Sequence, residues 1–287
     1  MTTAVVQDRR PWDGCQPALA AVSHGTSSPL GQNAIQRLVT AVAQARPDLE
    51  VVGGFVDVQQ PDVAATLNGL TARDGLTARD ALTAQSPAVV VPLLLSAGFH
   101  VHVDLRRETA AVDRPTTVSA ALGPDWRLID VLEQRLREAG YRADDEIVLA
   151  AAGSSDVRAV QDCHEMGRRL AARLGTRVSV GFLSAASPRL ACAVTTARIR
   201  RPQARVLIST YLMAPGYFLD LTERAGADRV SAPLLVAHED PPAALMELVV
   251  DRYSAAAGNM FTTGPGAVPA QQSAQQPAQV RDRELIS

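Results

Sequence analysis

The sequence predicts an α/β protein made of two similar tandem domains, each a parallel sheet flanked by helices. Residues 88–95 form an unbroken apolar run that contains three consecutive valines, which is typical of a strand buried on both faces. Further apolar runs alternate with stretches of helical periodicity, and this alternation favours βαβ units. The same order of patterns starts again near residue 146. The repetition predicts two domains related by a pseudo-twofold axis.

The 287 residues divide into four segments. We expect an N-terminal tail at 1–16, a first domain at 17–141 that contains the active site, and a second domain at 145–254. Residues 255–287 are rich in Gln, Ala, Pro and Gly. Such a composition cannot bury a core, so the prediction for this last segment is a disordered tail.

In the first half, four strand-like stretches alternate with helix-like ones. Pro29 suits the first turn of a helix after the first strand, the run Gln59-Gln60-Pro61-Asp62 opens a second helix, and Gly140 ends the last one. The weakest strand is the stretch TTVSAAL. The predicted strands cover residues 18–25, 51–58, 88–95 and 116–122.

The second half repeats this layout with recognisable correspondences. EIVLAAAGSSD has the strand-then-turn layout of ALAAVSHGTSS, and VSVGFLSAASPRL matches VVGGFVDVQQPDV. ARVLISTYLMAPGYFLD matches AVVVPLLLSAGFHVHVD, so that Gly216 falls on Gly98. These matches allow the two halves to be compared position by position.

Composition excludes several classes of function. A net charge of −2 and 4% aromatic residues argue against nucleic acid as a partner. No apolar run approaches the roughly 18 residues of a membrane span, and the N-terminus does not read as a secretory signal. The three cysteines are widely separated, so their spacing predicts neither a disulfide framework nor a CxxC metal site. We expect a cytoplasmic protein with reduced thiols.

Two histidines follow strand ends in the first half and are missing together from the second. His24 corresponds to Ala152, and His100 corresponds to Phe218. In open α/β sheets, ligands bind outside the carboxyl ends of the strands. If both histidines served packing alone, there would be no reason for both losses to fall on paired positions. We therefore interpret His24 and His100 as one functional unit.

The chemistry that these side chains offer is metal binding or proton transfer. Two neutral imidazoles bind divalent ions such as Fe²⁺, Co²⁺, Ni²⁺ or Zn²⁺, and one of them could instead act as a general base. The turn after the first strand adds hydroxyl groups at a helix N-terminus, which favours anions. Arg106 and Arg107 could add positive charge. The hydroxyls belong to Ser23, Thr26, Ser27 and Ser28.

At these residues the sequence resembles the sirohydrochlorin chelatase family of class II chelatases, in its long two-domain form. The motifs that carry the resemblance are HG in AVSHGTSS, the segment FVDVQQP and above all PLLLSAGFHVHVDL, with its Gly98, His100 and Asp104 spacing. The resemblance covers about residues 18–253. It implies insertion of a divalent metal, with Fe²⁺ expected, into sirohydrochlorin, an eight-carboxylate tetrapyrrole, to form sirohaem. Cobalt insertion for cobalamin synthesis and a non-catalytic tetrapyrrole or metal carrier are the alternatives.

The resemblance also implies roles for individual residues. His24 and His100 match the paired histidines that hold the metal and help to remove the pyrrole protons. For substrate binding we expect Ser23, Thr26, Ser27, Gln60 and Arg106. Gln60 stands where several family members carry a glutamate, so a carboxylate ligand is missing there and only a neutral amide is offered. No organic cofactor is implied, and the chain is expected to be a monomer by internal duplication or a homodimer.

Other polar residues are expected to have structural roles. His102 lies two residues beyond His100, which is about 200° round a helix, and a structural or surface role is expected for it. Asp104 is expected to cap a helix. His164 should lie on a solvated helix face and His238 on the surface. A histidine phosphatase is disfavoured, because those enzymes need an arginine immediately before the HG, where this chain has Ser23.

Overall fold

Two four-stranded parallel sheets form the frame of the protein. The computed structural model describes residues 16–70, 86–96 and 99–262, with the backbone alone at 99–104 and 261–262. In the first half the strands are β1 (Ala18–Ser23), β2 (Val51–Phe55), β3 (Ala88–Pro92) and β4 (Thr116–Val118), and the helices are α1 (Pro29–Ala45), α2 (Val63–Asn68), α3 (Phe99–Ala110) and α4 (Trp126–Glu138). The first sheet has the order β2-β1-β3-β4.

The second half has the same architecture. Its strands are β5 (Glu146–Ala151), β6 (Val178–Phe182), β7 (Val206–Tyr211) and β8 (Arg229–Val230), and its helices are α5 (Val157–Leu174), α6 (Leu190–Arg200), α7 (Tyr217–Glu223) and α8 (Ala243–Thr262). The order β6-β5-β7-β8 is the counterpart of the first sheet. The predicted fold class is confirmed, because the buried apolar runs form the central strands of two parallel sheets.

The repeated motifs fold into repeated local structures. The glycines after β1 and β5, Gly25 and Gly153, both have positive φ angles, +93° and +90°. Phe55 forms an isolated bridge to Asp62, and Phe182 forms the corresponding bridge to Arg189. Asp62 accepts a hydrogen bond from the backbone N–H of Ala65 and so caps α2. The position-by-position correspondence of the halves therefore holds in three dimensions.

Each half contributes one helix to the other. Helix α4 packs against α5 and β7 of the second half, and α8 packs against α1, β3 and β4 of the first. Side chains of both halves accordingly form one continuous buried cluster, which includes Leu19 and Leu149. The two halves are therefore interlocked by the packing of α4 and α8.

The last helix extends beyond the boundary expected from composition. A disordered tail from residue 255 was the expectation, but α8 continues to Thr262. Ala256 and Ala257 are buried against the shared core, and alanine has the highest intrinsic helix propensity. The Gly- and Pro-rich sequence follows this helix. The rest of the predicted tail and residues 1–15 lie outside the described residues.

The exchanged helix should be essential for stability. Leu248 on α8 is fully buried in the shared core, so Leu248→Ala should lower the free energy of unfolding by about 2–5 kcal/mol. Exposed Glu247 on the same helix provides the control, and Glu247→Ala should change it by less than about 0.5 kcal/mol. Urea unfolding followed by circular dichroism measures both values, and equal effects would contradict the packing role of α8.

Candidate active site

A cleft of about 590 Å³ lies where the carboxyl ends of the two sheets approach each other. The first half lines it with the turn after β1 and with residues 93–96 after β3. The second half lines it with the end of β5, with residues 212–216 and with the first turn of α7. Its volume lies within the range of about 300–1,000 Å³ that is common for small-molecule sites. Both halves thus build one shared cleft.

His24 is exposed at this cleft, directly after β1. The backbone N–H of Asp57 donates to the carbonyl oxygen of His24 over 3.0 Å, and Val56 N–H donates to the carbonyl of Ser23 over 2.9 Å. Gly25 turns the chain with a φ of +93°, and a Cβ atom there would lie 2.0 Å from the carbonyl oxygen of Asp57. The loop after β2 therefore holds the backbone of His24 in place.

The hydroxyl groups of this turn divide into two kinds. Thr26 Oγ1 accepts from Ser28 N–H over 3.1 Å, and Ser28 Oγ accepts from Gly31 N–H over 3.4 Å at the start of α1. These two groups stabilise the turn and cap the helix. Ser27 is exposed at the cleft, and Ser23 is buried there with no hydrogen-bond partner for its Oγ in the described residues. Of these two residues, only Ser27 is exposed at the cleft, whereas the Ser23 hydroxyl is buried beneath the turn.

Gln59 supports the turn, a contact that sequence reasoning did not foresee. Its Oε1 accepts a 2.9 Å hydrogen bond from the backbone N–H of Thr26. Its neighbour Gln60 is turned away from the cleft, and its Oε1 accepts from Asp62 N–H over 3.1 Å. Gln60 lines a separate depression beside Asp57 and Glu108. The sequence does not indicate which of two adjacent glutamines supports the turn, because the direction in which each side chain points depends on the dihedral angles of the loop.

Arg106 also lies outside the cleft. Its side chain is exposed on α3 and is not part of the cleft lining. Asp104 is the sixth residue of α3, so its expected role as the N-terminal cap of this helix is wrong. The helix begins earlier than the polar pattern indicated, with His100 in its first turn.

His100 follows the strand that neighbours β1. Strands β1 and β3 pair in parallel with Val22 opposite Pro92, so the chain segments after both strands leave the same edge of the sheet. His100 is the second residue of α3, as Phe218 is the second residue of α7. The side chains of His100 and His102 lie outside the description. The backbone register supports the predicted correspondence between His100 and Phe218.

The remaining histidines lie away from the cleft. His164 on α5 is half-buried, with its ring 5.6 Å from that of Phe182 at an edge-to-face angle of 82°. Its ring packs against Phe182 of β6, whereas we expected His164 to lie on a solvated face of the helix. His238 is exposed, as predicted. Within the described ranges, no group of three or more His, Cys, Asp and Glu side chains has an arrangement that would hold a metal ion.

The second-half wall of the cleft is apolar and aromatic. Tyr211 is buried at its base, where its hydroxyl donates to the carbonyl of Leu95 over 3.0 Å, and burial raises its pKa. Cys163 is also buried at the cleft, and burial, assisted by the charge of Asp162, raises the pKa of its thiol to about 12. The wall therefore presents neutral groups to a ligand at physiological pH.

Comparison with known proteins identifies the family. The CbiX family model matches residues 18–139 and 146–234, one match in each half. The chain belongs to the CbiX family. These are the sirohydrochlorin chelatases among the class II chelatases that the sequence motifs resemble, and the two matches make this chain a long, two-domain member. A search of curated proteins finds no match.

Solved structures share the CbiX-family fold. SirB from Bacillus subtilis with Fe³⁺ has a TM-score of 0.67 at 19% identity, over 86% of this chain and 97% of that one. The sirohydrochlorin chelatase SirB from Bacillus subtilis subspecies spizizenii with cobalt has a TM-score of 0.60 at 14% identity, over 85% and 96%. CbiX, the terminal enzyme for sirohaem biosynthesis in denitrifying bacteria, gives 0.55 at 20%, over 82% and 98%. The described helices include none with the length and apolarity to cross a membrane.

The turn at Gly25 yields a prediction for stability. Gly25→Ala should lower the free energy of unfolding by about 2 kcal/mol or more, because the added Cβ meets a backbone carbonyl and the φ angle is left-handed. Gly53→Ala is the control, since its Cβ would make ordinary contacts of 3.6 Å with Val39. Denaturant unfolding measures both, and a tolerated alanine at 25 would refute the described turn.

Burial of the Cys163 thiol yields a prediction for reactivity. With a pKa of about 12 it stays protonated at pH 8, and the thiolate is the reactive form. Titration of the native protein with Ellman's reagent should count the same number of reactive thiols in wild type and in Cys163→Ser. Cys192 is exposed, so Cys192→Ser should lower the count by one. A lower count in the Cys163→Ser protein would show that this thiol is accessible.

Proposed function

We propose that the protein inserts Fe²⁺ into sirohydrochlorin to form sirohaem, with His24 and His100 as the residues that receive the metal and the protons. The observation that carries this proposal is the exposed imidazole of His24 at a cleft formed by the carboxyl ends of both sheets. Membership in the CbiX family supports the reaction class. His100 lies in the segment that follows the neighbouring strand, β3, at the same edge of the sheet.

The cleft suits a flat, conjugated macrocycle. Its lining is mainly apolar and comes from both halves of the chain, so a single molecule is sufficient to enclose a substrate from two sides. None of the described lining residues is an arginine. The peripheral carboxylates of sirohydrochlorin would therefore stay in water at the open rim, where their charge costs least. The exposed Ser27 hydroxyl could bond polar atoms of the substrate that enter the cleft.

The reaction requires a metal donor and a proton acceptor at the same place. Metal insertion replaces two pyrrole N–H protons by bonds from the ring nitrogens to the metal, and the two protons must leave. Neutral imidazoles serve both needs, since they bind Fe²⁺ and accept protons near neutral pH. Few protein ligands are suitable here, because the ion must be released to the macrocycle.

The choice of iron rests on the relatives. The structure of SirB from Bacillus subtilis contains Fe³⁺, and the CbiX of denitrifying bacteria is described as the terminal enzyme for sirohaem biosynthesis. A second SirB structure contains cobalt, and imidazole accepts both metals. Anaerobic competition between equal concentrations of Fe²⁺ and Co²⁺ should yield mainly the iron product. A predominance of the cobalt product would assign the chain to cobalt insertion.

Substitution of either histidine should abolish catalysis. His24→Ala and His100→Ala should each lower the rate of metal insertion by about 100-fold or more, the usual effect of losing a positioned proton acceptor. The measurement is the change in visible absorption as sirohydrochlorin is metallated anaerobically.

His238→Asn provides the matched control. His238 is an exposed histidine with a φ of +65°, a conformation that asparagine tolerates, so the rate should not change. Equal rates with and without wild-type protein would refute the proposed activity. Tight binding of one equivalent of product without multiple turnover would support the carrier alternative.

A further inference from the structure

The second half places two aromatic side chains at the cleft, at sequence positions that correspond to Phe99 and His100 of the first half. Tyr217 and Phe218 open α7 at the equivalent positions. Both line the cleft. The position that carries an imidazole in one half therefore carries an aromatic hydrocarbon in the other.

Tyr217 has a large unused apolar surface. Its side chain is 70% exposed, although it lies in a folded helix beside the cleft. Its ring centroid lies 6.0 Å from that of Phe218, with 39° between the planes. This spacing is within the 4.5–7 Å range of interacting aromatic pairs. The two rings are therefore neighbours, and both line the cleft.

The surrounding wall strengthens the case for a planar, uncharged contact surface. The segment 212–216 that precedes the pair contributes Leu212, Met213 and Pro215 to the lining. Cys163 and Tyr211 remain neutral at physiological pH because burial raises the pKa of both. An anionic or strongly hydrated ligand gains little from such a wall. A conjugated ring system gains both apolar burial and stacking.

We propose that Tyr217 and Phe218 form the macrocycle-binding platform of the site, so that the second half binds the tetrapyrrole and the first half handles the metal. This inference rests on the proposed function and extends it to the role of the second half. Replacement of the paired imidazoles by Ala152 and Phe218 leaves His24 and His100 as the single pair of histidines at these positions. Metal and protons are then handled on one side of the macrocycle.

Equilibrium binding of metal-free sirohydrochlorin, followed by its visible absorption, tests the platform without requiring turnover. Tyr217→Ala should weaken binding about tenfold, whereas Tyr217→Phe should bind like wild type because the ring is kept. Ile199→Ala is the control, since Ile199 is 75% exposed on α6 and outside the cleft. Phe218→Ala should weaken binding to a similar extent.

Steady-state kinetics then separates binding from chemistry. In the Tyr217→Ala protein the KM for sirohydrochlorin should rise about tenfold, while kcat and the KM for the metal should stay within twofold of wild type. Because Tyr217 is exposed, its substitution should leave the thermal unfolding midpoint unchanged.

The outcomes distinguish the platform from the proposed function. Binding of sirohydrochlorin by Tyr217→Ala and Phe218→Ala within twofold of wild type would overturn the platform, whether or not the protein is active. Absence of saturable binding to wild type would overturn it as well. Binding that depends on Tyr217, in a protein that does not accelerate metal insertion, would support the platform and refute the catalytic proposal.

Discussion

The packing of two exchanged helices holds the site together. Helix α4 lies on the second sheet and α8 on the first, and their fully buried leucines include Leu132, Leu136, Leu245 and Leu248. Each such side chain contributes about 1.5–3 kcal/mol on burial. The ion pair between Arg173 and Asp130, which joins the halves, is partly exposed and contributes at most about 1 kcal/mol. Apolar burial therefore determines how the sheets face each other.

Hydrogen bonds then set the register of this arrangement. Arg252 on α8 donates to the carbonyl oxygens of Ala121 and Leu122 over 2.8 and 2.9 Å, and Tyr253 donates to that of Pro17 over 2.6 Å. Tyr211 donates to Leu95 directly beneath the cleft. Directional bonds to backbone carbonyls specify position in a way that apolar contact does not. The cleft is thus a consequence of how the two halves interlock.

The duplicated halves show how one backbone turn can carry different side chains at equivalent positions. Gly25 and Gly153 make the same turn, and each closely approaches a carbonyl of the following strand–helix loop. The side chain before the glycine differs, an exposed imidazole in His24 and a methyl group in Ala152. Since the backbone is supported by the same contacts, the chemistry of each half can change without altering the fold.

Sequence reasoning was successful where burial governs the structure. The strands β1, β3, β5 and β7 are largely apolar, as expected of strands buried on both faces of a sheet. The family motifs lie at the ends of β1 and β3. It was less successful where a turn or a helix boundary decides which way a side chain points. Gln60 was expected at the substrate site, but its amide bonds the start of α2 and Gln59 supports the His24 turn instead. Asp104 was expected at a helix start that lies several residues earlier.

The sequence by itself determined the fold class, the duplication and the family, because these depend on local hydrophobic patterns and on residue identity; the pairing of His24 and His100 stays a prediction. Only the tertiary structure decided that α4 and α8 cross between the halves, that the two sheets share a cleft, and that Tyr217 and Phe218 line it. Those features arise from contacts between residues far apart in the chain. A local sequence pattern shows that a helix has an apolar face, but it does not show which distant surface that face will pack against.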